Sequence, residues 1–325
     1  MTDRTAAIHK TMSCKTLASI GIVAFGLAMA SSAAQAQVPP DVAAKLAALG
    51  RVVDPENTGK IYAPLEEKPP YNFVKITRDV KYGPNARNTL DIFVDDSPFT
   101  GRPVLMFVHG GGFVRGVKSA PGSPFGDNVM VFAARNGMVG VDVEYRLAPE
   151  FPWPAGVEDV GAAVRYVADH IASFGGDPNK IYLMGQSAGA VHVATYVAHS
   201  EFHGAKGSGL AGAIFASGIY DLTKVEANDG ERAYYGADTR LYAERSALPG
   251  LVKSTLPMMA VAVELNPQMF NEQFAQLKEA MCKTERGCVR TVMVPKHNHT
   301  SVINAINTAD TSLTSQILEF VRTGK

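Results

Sequence analysis

The sequence predicts an α/β fold, a mostly parallel sheet of eight strands with helices on both faces and a small cap insertion. Three observations lead there. Apolar runs rich in Val and Ile alternate with segments of helical period, the pattern of βα units and a parallel sheet. Glycine-rich turns stand directly after two of these runs, at Gly110-Gly111-Gly112 and around Ser187, where a strand must give way sharply to a loop or helix. The stretch Gln37–Lys325 sits at the upper end of the length of one α/β domain and carries no internal repeat or low-complexity tract.

The elements follow in chain order. Arg4, Lys10 and Lys15 precede an uncharged run from Leu17 to Ala30, and Ala34-Gln35-Ala36 supplies small residues for signal peptidase, so residues 1–36 read as a signal peptide cleaved after Ala36. The run is about fourteen residues where a membrane span needs roughly twenty. No stable membrane insertion is therefore expected after cleavage, and the mature chain is expected in the periplasm or outside the cell. Residues 37–325 form the domain. Within it, 37–73 is an N-terminal arm with a short amphipathic helix at Asp41–Leu49 and prolines at 64, 69 and 70. Strands are expected near Val74–Tyr82, Asn88–Val94, Val104–Val108, Val139–Tyr145, Ile181–Met184, Gly212–Ala216, Met258–Val263 and Arg290–Val294. Helices fall at about Asn128–Asn136, Ala155–Phe174, Ala188–His199, Pro267–Met281 and Asp310–Thr323. Gly83-Pro84-Asn85 joins the first two strands as a hairpin, which makes the sheet mixed at that edge. Residues 221–255 lack clear periodicity and suit the cap.

Charge and cysteines narrow the function. The chain carries 31 Lys and Arg against 31 Asp and Glu. Such a balance argues against a nucleic-acid partner or an anionic membrane surface. Cys14 lies in the leader. Cys282 and Cys288 remain, and an exported pair this close predicts a disulfide, worth about 2 kcal/mol as a pin on a local turn. No His, Cys and carboxylate cluster has metal-ligand spacing and no G-x-G-x-x-G follows a strand, so neither a metal nor a nucleotide cofactor is expected.

Three motifs carry chemistry. Gly185-Gln186-Ser187-Ala188-Gly189 follows the run Ile181–Met184 and precedes a helical pattern, the strand-turn-helix context in which a strained turn exposes a nucleophilic Ser187 Oγ. His109-Gly110-Gly111-Gly112-Phe113 follows the strand Val104–Val108. Its flexible glycines can aim backbone N–H groups at a ligand, so Gly111, Gly112 and the amide of Ala188 form the expected oxyanion hole, worth about 3 to 4 kcal/mol per donor. His109 itself reads as a structural loop residue. His297-Asn298-His299-Thr300-Ser301 follows the last strand and supplies the base, with His299 preferred to His297 because it stands nearer the loop apex. His192, His199 and His203 read as structural.

Taken in order, HGGGF, Tyr145–Glu150 with Phe151-Pro152, Glu158-Asp159, GQSAG and HNHTS resemble the carboxylesterases of the hormone-sensitive-lipase-like and feruloyl-esterase-like (BD-FAE type) groups. The resemblance runs from about Val104 to Phe320, and GQSAGA with His192 is closer to the feruloyl-esterase-like branch. It implies an α/β-hydrolase fold, cofactor-free hydrolysis of carboxylic esters, and a triad in the order Ser, acid, His. One departure matters. Where those groups read Glu-Leu-Asp-Pro, this chain reads Glu264-Leu265-Asn266-Pro267, with an amide in place of the carboxylate. Three readings stand open. Glu264 serves as the acid, since residues two apart on an extended segment point the same way. Alternatively Asp221 reaches in from the neighbouring strand end, or Asn266 merely orients a neutral imidazole. Arg146, Glu150 and Asp159 read as ion pairs that position a loop.

The expected protein is thus an exported serine hydrolase, a carboxylesterase acting through Ser187, His299 and Glu264 on a small or polysaccharide-linked ester. An amidase, formamidase or peptidase built on the same apparatus is one alternative. A weakly active or inactive binding homologue is the other, because of Asn266.

Overall fold

A computed structural model describes residues 38–325, residue 286 excepted; the expected leader lies outside the described residues. Eight strands make one sheet: β1 Val74–Lys81, β2 Thr89–Asp95, β3 Arg102–Val108, β4 Val139–Val143, β5 Gly176–Gln186, β6 Gly212–Ala216, β7 Met258–Leu265 and β8 Arg290–Asn298. Their spatial order is β1-β2-β4-β3-β5-β6-β7-β8. β2 pairs antiparallel with both β1 and β4, and every later pairing is parallel. The expected mixed edge is therefore present.

Side-chain alternation builds a core on each face. Val104, Met106 and Val108 of β3 point to one side and Leu105 and Phe107 to the other. Likewise Met258, Ala260 and Ala262 of β7 oppose Met259, Val261 and Val263. Strands buried on both faces read as continuous apolar runs, which is why they were legible. The helices are α1 Pro40–Leu49, α2 Pro55–Tyr62, α3 Asp127–Arg135, α4 Ala155–His170, α5 Ala188–Ala198, α6 Asp229–Tyr235, α7 Tyr242–Arg245, α8 Leu248–Lys253, α9 Gln268–Cys282, α10 Ser301–Asn304 and α11 Thr314–Thr323. α4, α5, α8 and α9 cover the first face; α3, α10 and α11 cover the second.

The arm and the cap differ from expectation in detail. The arm holds a second helix, α2, which the proline run obscured; Asp54 caps it through the Asn57 N–H and Pro55 opens it. Val42, Leu46 and Tyr62 of the arm pack with Ala305 and Leu265, beside the end of β8. Of residues 221–255, the first part borders the site, whereas Ala247 and Leu251 join the main core and α8 lies on α5 with Gly250 against the Ala198 carbonyl. Cys282 and Cys288 are joined, S–S 2.02 Å.

Candidate active site

Ser187 sits where β5 ends and α5 begins. Its N–H donates to the Ala216 carbonyl (2.9 Å), so the sheet ladder grips the residue itself, and its backbone is held at φ 55°, ψ −125°. A non-glycine residue in that region costs about 1 to 3 kcal/mol and persists only when its surroundings over-determine it. Here they do. A β-carbon on Gly189 would stand 2.0 Å from the Val108 carbonyl oxygen, so the glycine lets α5 press directly onto β3 and fixes the elbow.

The glycine loop after β3 lies against this elbow. Gly110 approaches so closely that a β-carbon there would come within 3.1 Å of Ser187 Cβ. Gly111 has φ 130° and Gly112 φ 61°, and among the described residues neither N–H has a backbone acceptor. Ala188 opens α5, where an N–H has no intrahelical partner. These are the three N–H groups that the sequence put forward for an oxyanion hole. The loop is held from above, because Tyr234 of α6 stacks on Phe113 at 4.9 Å and 2° and the Tyr234 carbonyl accepts from Trp153 N–H. It is held from behind by His109, which bonds Glu144 (3.0 Å) and stacks on Tyr145 (4.4 Å), a structural role as expected.

His299 closes the site. It stands just after β8, 1% exposed, with Phe270 against its ring at 4.2 Å. Gln186, the residue before the nucleophile, donates its Nε2 to the His299 carbonyl (2.9 Å). Asn298 folds the turn by accepting from Ser301 N–H and reaches the arm by donating to Thr58 Oγ1, so α2 braces the histidine loop. His299 Nδ1 lies 3.0 Å from Asn266 Oδ1, and Nε2 is buried without a partner among the described residues. Burial, which disfavours the charged ring, pushes its pKa down to about 3. His297 is different: Nδ1 meets Ser301 Oγ and Nε2 meets Asp310, both ring nitrogens committed in a buried brace.

The carboxylates named in the sequence do not reach the histidine. Glu264 is exposed and its Oε2 accepts from Lys296 N–H (2.8 Å), while its own carbonyl accepts from Arg51. The pairing of β7 with β8 shifts register between Val263 and Leu265, and the Asn266 N–H turns back to the Val263 carbonyl. Alternation therefore breaks where Glu264 and Asn266 stand, and Asn266 alone turns inward. Asp221 caps a turn through Thr223 and receives Gln276. Arg146 and Asp159 pair as expected (2.8 Å), but Glu150 is exposed and pairs with no cation among the described residues. Gln186, Ser217, Phe270 and Asn271 were missed; only Gln186, inside the elbow motif, carried a sequence signal.

Ser187, His299, the glycine loop, Val191, Ile219 and Phe270 line one cavity of about 710 Å³, which the cap reaches through Asn228, Gly230 and Glu231 and the arm through Val53 and Pro55. Its lining is mostly apolar with a few polar groups at Ser187, Gln186 and His299, the usual make-up of a small-molecule site. Among the described residues no group of His, Cys, Asp and Glu is placed to hold a metal.

Comparison with known proteins agrees with this arrangement. The BD-FAE family model matches residues 90–270. Esterase LipQ of Mycobacterium tuberculosis (strain ATCC 25618 / H37Rv) is 31% identical over 220 residues, 65% of this chain and 51% of that protein. Isoprenylcysteine alpha-carbonyl methylesterase ICME of Arabidopsis thaliana is 41% identical over 125 residues, 38% of this chain and 28% of that one. The chain thus spans about a quarter to a half of the length of these curated relatives. Among solved structures, esterase B from Lactobacillus rhamnosis (HN001) superposes with TM-score 0.66 at 18% identity, covering 87% of this chain and 92% of that one. A hyperthermophilic esterase from the archaeon Pyrobaculum calidifontis gives TM-score 0.61 at 21% identity, covering 89% and 99%. The fold is that of the α/β-hydrolases.

Proposed function

The chain belongs to the BD-FAE family, and from that premise we propose that it is a serine carboxylic-ester hydrolase, exported by its leader and acting on a small or polysaccharide-linked ester. The observation that carries the reading is a single one: a serine on a strained turn, a histidine whose Nε2 has no partner among the described residues, and backbone N–H groups without a backbone acceptor among them all belong to the lining of one cavity. Relatives named as esterases support it.

The mechanism follows from the groups in place. With Nδ1 bonded to the amide oxygen of Asn266, His299 keeps its lone pair on Nε2 and takes the proton from Ser187 Oγ as the serine attacks the ester carbonyl. Among the described residues Nε2 has no partner, and catalytic hydrogen bonds of this kind often tighten only with substrate in place. Negative charge forming on the carbonyl oxygen meets the N–H groups of Gly111, Gly112 and Ala188. The imidazolium gives that proton to the ester's alkoxy oxygen as the carbonyl C–O bond breaks and the alcohol leaves, and water, activated the same way, releases the acyl group from Ser187.

A fluorophosphonate probe tests the reading. One equivalent of label on the intact protein, absent from Ser187→Ala, is the expected result; a folded protein that never labels sinks the proposal and favours the binding homologue that Asn266 leaves open. Matched p-nitrophenyl esters and anilides then separate an esterase from an amidase.

The pH profile carries a second expectation. Because the buried His299 stays neutral down to about pH 3, kcat/KM should not fall through the pH 6.5 region where an ordinary histidine would protonate. Stability sets the acid limit instead. His299 and the buried His192 both have pKa values near 3 in the folded chain, whereas unfolded imidazoles take up protons below about 6.5. The unfolded state thus binds more protons across that window, and stability falls as pH drops through it. Thermal midpoints from pH 7 to 4, read beside initial rates, distinguish the two; a kcat/KM limb near pH 6.5 in fully folded protein overturns the assignment.

A further inference from the structure

An asparagine in the acid's place works only if its oxygen, not its nitrogen, faces the histidine. Turned the other way, the amide would donate to Nδ1, move the ring proton to Nε2 and leave the base occupied. Nothing in Asn266 alone decides this. Its neighbours do. Asn266 Nδ2 donates to Ser217 Oγ (3.0 Å) and to Asn271 Oδ1 (3.1 Å), which leaves Oδ1 for His299 Nδ1. Ser217 cannot enforce that choice, because a hydroxyl both donates and accepts. Asn271 can. Its own Nδ2 donates to the Val263 carbonyl (3.2 Å), and a carbonyl oxygen accepts only.

We infer that Asn271 is a positioning residue: the Val263 carbonyl fixes the polarity of Asn271, Asn271 fixes that of Asn266, and Asn266 thereby holds His299 with its proton on Nδ1 and its lone pair on Nε2. The chain of acceptor, amide, amide and imidazole substitutes directional hydrogen bonding for the charge of a carboxylate. The geometry makes it compact. Val263 ends the regular part of β7, Asn266 lies in the turn after it, and Asn271 stands in the first turn of α9, so one β-to-α connection holds three of the four members. The fourth, His299, is buried at the end of β8 with no carboxylate among its hydrogen-bond partners in the described residues.

The inference rests on the proposed role of His299 as base, yet its first test does not need activity. ¹⁵N chemical shifts of the histidine ring at pH 7, assigned with His299→Gln, should show His299 protonated on Nδ1 in the intact protein; a ring protonated on Nε2 overturns the inference whether or not the chain hydrolyses esters. Asn271→Leu, which cannot accept from Asn266, should then move signal toward the Nε2–H form and lower kcat by about 10- to 100-fold with KM within about twofold, since a buried amide donor left unpaired shifts such an equilibrium by that order. Asn271→Asp keeps an acceptor toward Asn266 and should retain the Nδ1–H form and most of the activity. In an Asn266→Asp background the carboxylate accepts whichever way it turns, so adding Asn271→Leu should cost no further kcat. An equal loss in both backgrounds would mean a packing role only, and retention of the Nδ1–H form in Asn271→Leu would remove Asn271 from the assignment.

Discussion

Ser187→Ala and His299→Ala should each lower kcat by about 10⁴-fold, and the double variant by no more than either alone. Residues that act on one proton in one step lose their contribution together, so the effects do not add. The size is the informative part. In subtilisin the serine or the histidine of a complete Ser-His-Asp triad is worth about 10⁶, and the Asp alone over 10⁴. If Asn266 left the ring in the wrong tautomer, Ser187 and His299 would retain only about a hundredfold advantage to lose. With Oδ1 on Nδ1 the tautomer is right and only the charge on the imidazolium's partner is missing, which places the expected loss between those limits. In the same series Glu264→Gln and Asp221→Asn should leave kcat within about twofold, as exposed or turn-capping carboxylates away from the ring do. Steady-state kinetics on one p-nitrophenyl ester, with labelling stoichiometry to count active protein, measures all of these; a large loss in Glu264→Gln alone would return the acid to the residue that the sequence favoured.

What could be read in advance and what could not divides along physical lines. Strands buried on both faces and turns that exclude a β-carbon leave marks in composition. So the sheet, the elbow at Ser187 and the loop at Gly111 and Gly112 were all legible in the order of the residues. The placement of His299 rather than His297 on the cavity also follows the order of the residues, since His299 is part of its lining while His297 is tied to Asp310 and Ser301. The partner of His299 was not. That reading assumed Glu264 and Asn266 lie on one extended segment, and the register shift after Val263 ends the extension between them. Nor could the sequence show that Gln186 and Thr58 converge on the histidine loop, because each contact is made across the fold by a common polar residue. α2 escaped for a smaller reason: Asp54 followed by Pro55 is a good helix start, but the surrounding prolines and Gly59 masked it.

Gly111→Ala should lower kcat by about 10³-fold while Gly112→Ala costs far less, although both replace glycines with positive φ in the same loop. An added methyl at Gly112 meets open space and pays only the left-handed strain, about 1 to 2 kcal/mol, at φ 61°. At Gly111 the β-carbon would lie 1.9 Å from the Arg115 carbonyl oxygen, with φ 130°. Arg115 cannot step aside freely, since its N–H closes the turn by donating back to the Gly111 carbonyl (3.2 Å). The loop must therefore open, and opening it swings the Gly111 and Gly112 N–H groups away from the place of the carbonyl oxygen in the proposed mechanism. One such donor is worth about 10² to 10³ in kcat. The loss should fall on kcat more than KM, because the donors act most strongly on the charge that develops during attack. It should also slow fluorophosphonate labelling, in which the phosphoryl oxygen takes the same place. Thermal midpoints separate this from collapse of the domain: the loop borders a cavity and not the sheet core, so Gly111→Ala should stay folded at assay temperature. Equal losses in the two alanine variants would show that backbone strain alone governs the loop, and would remove the Arg115 collision from the account.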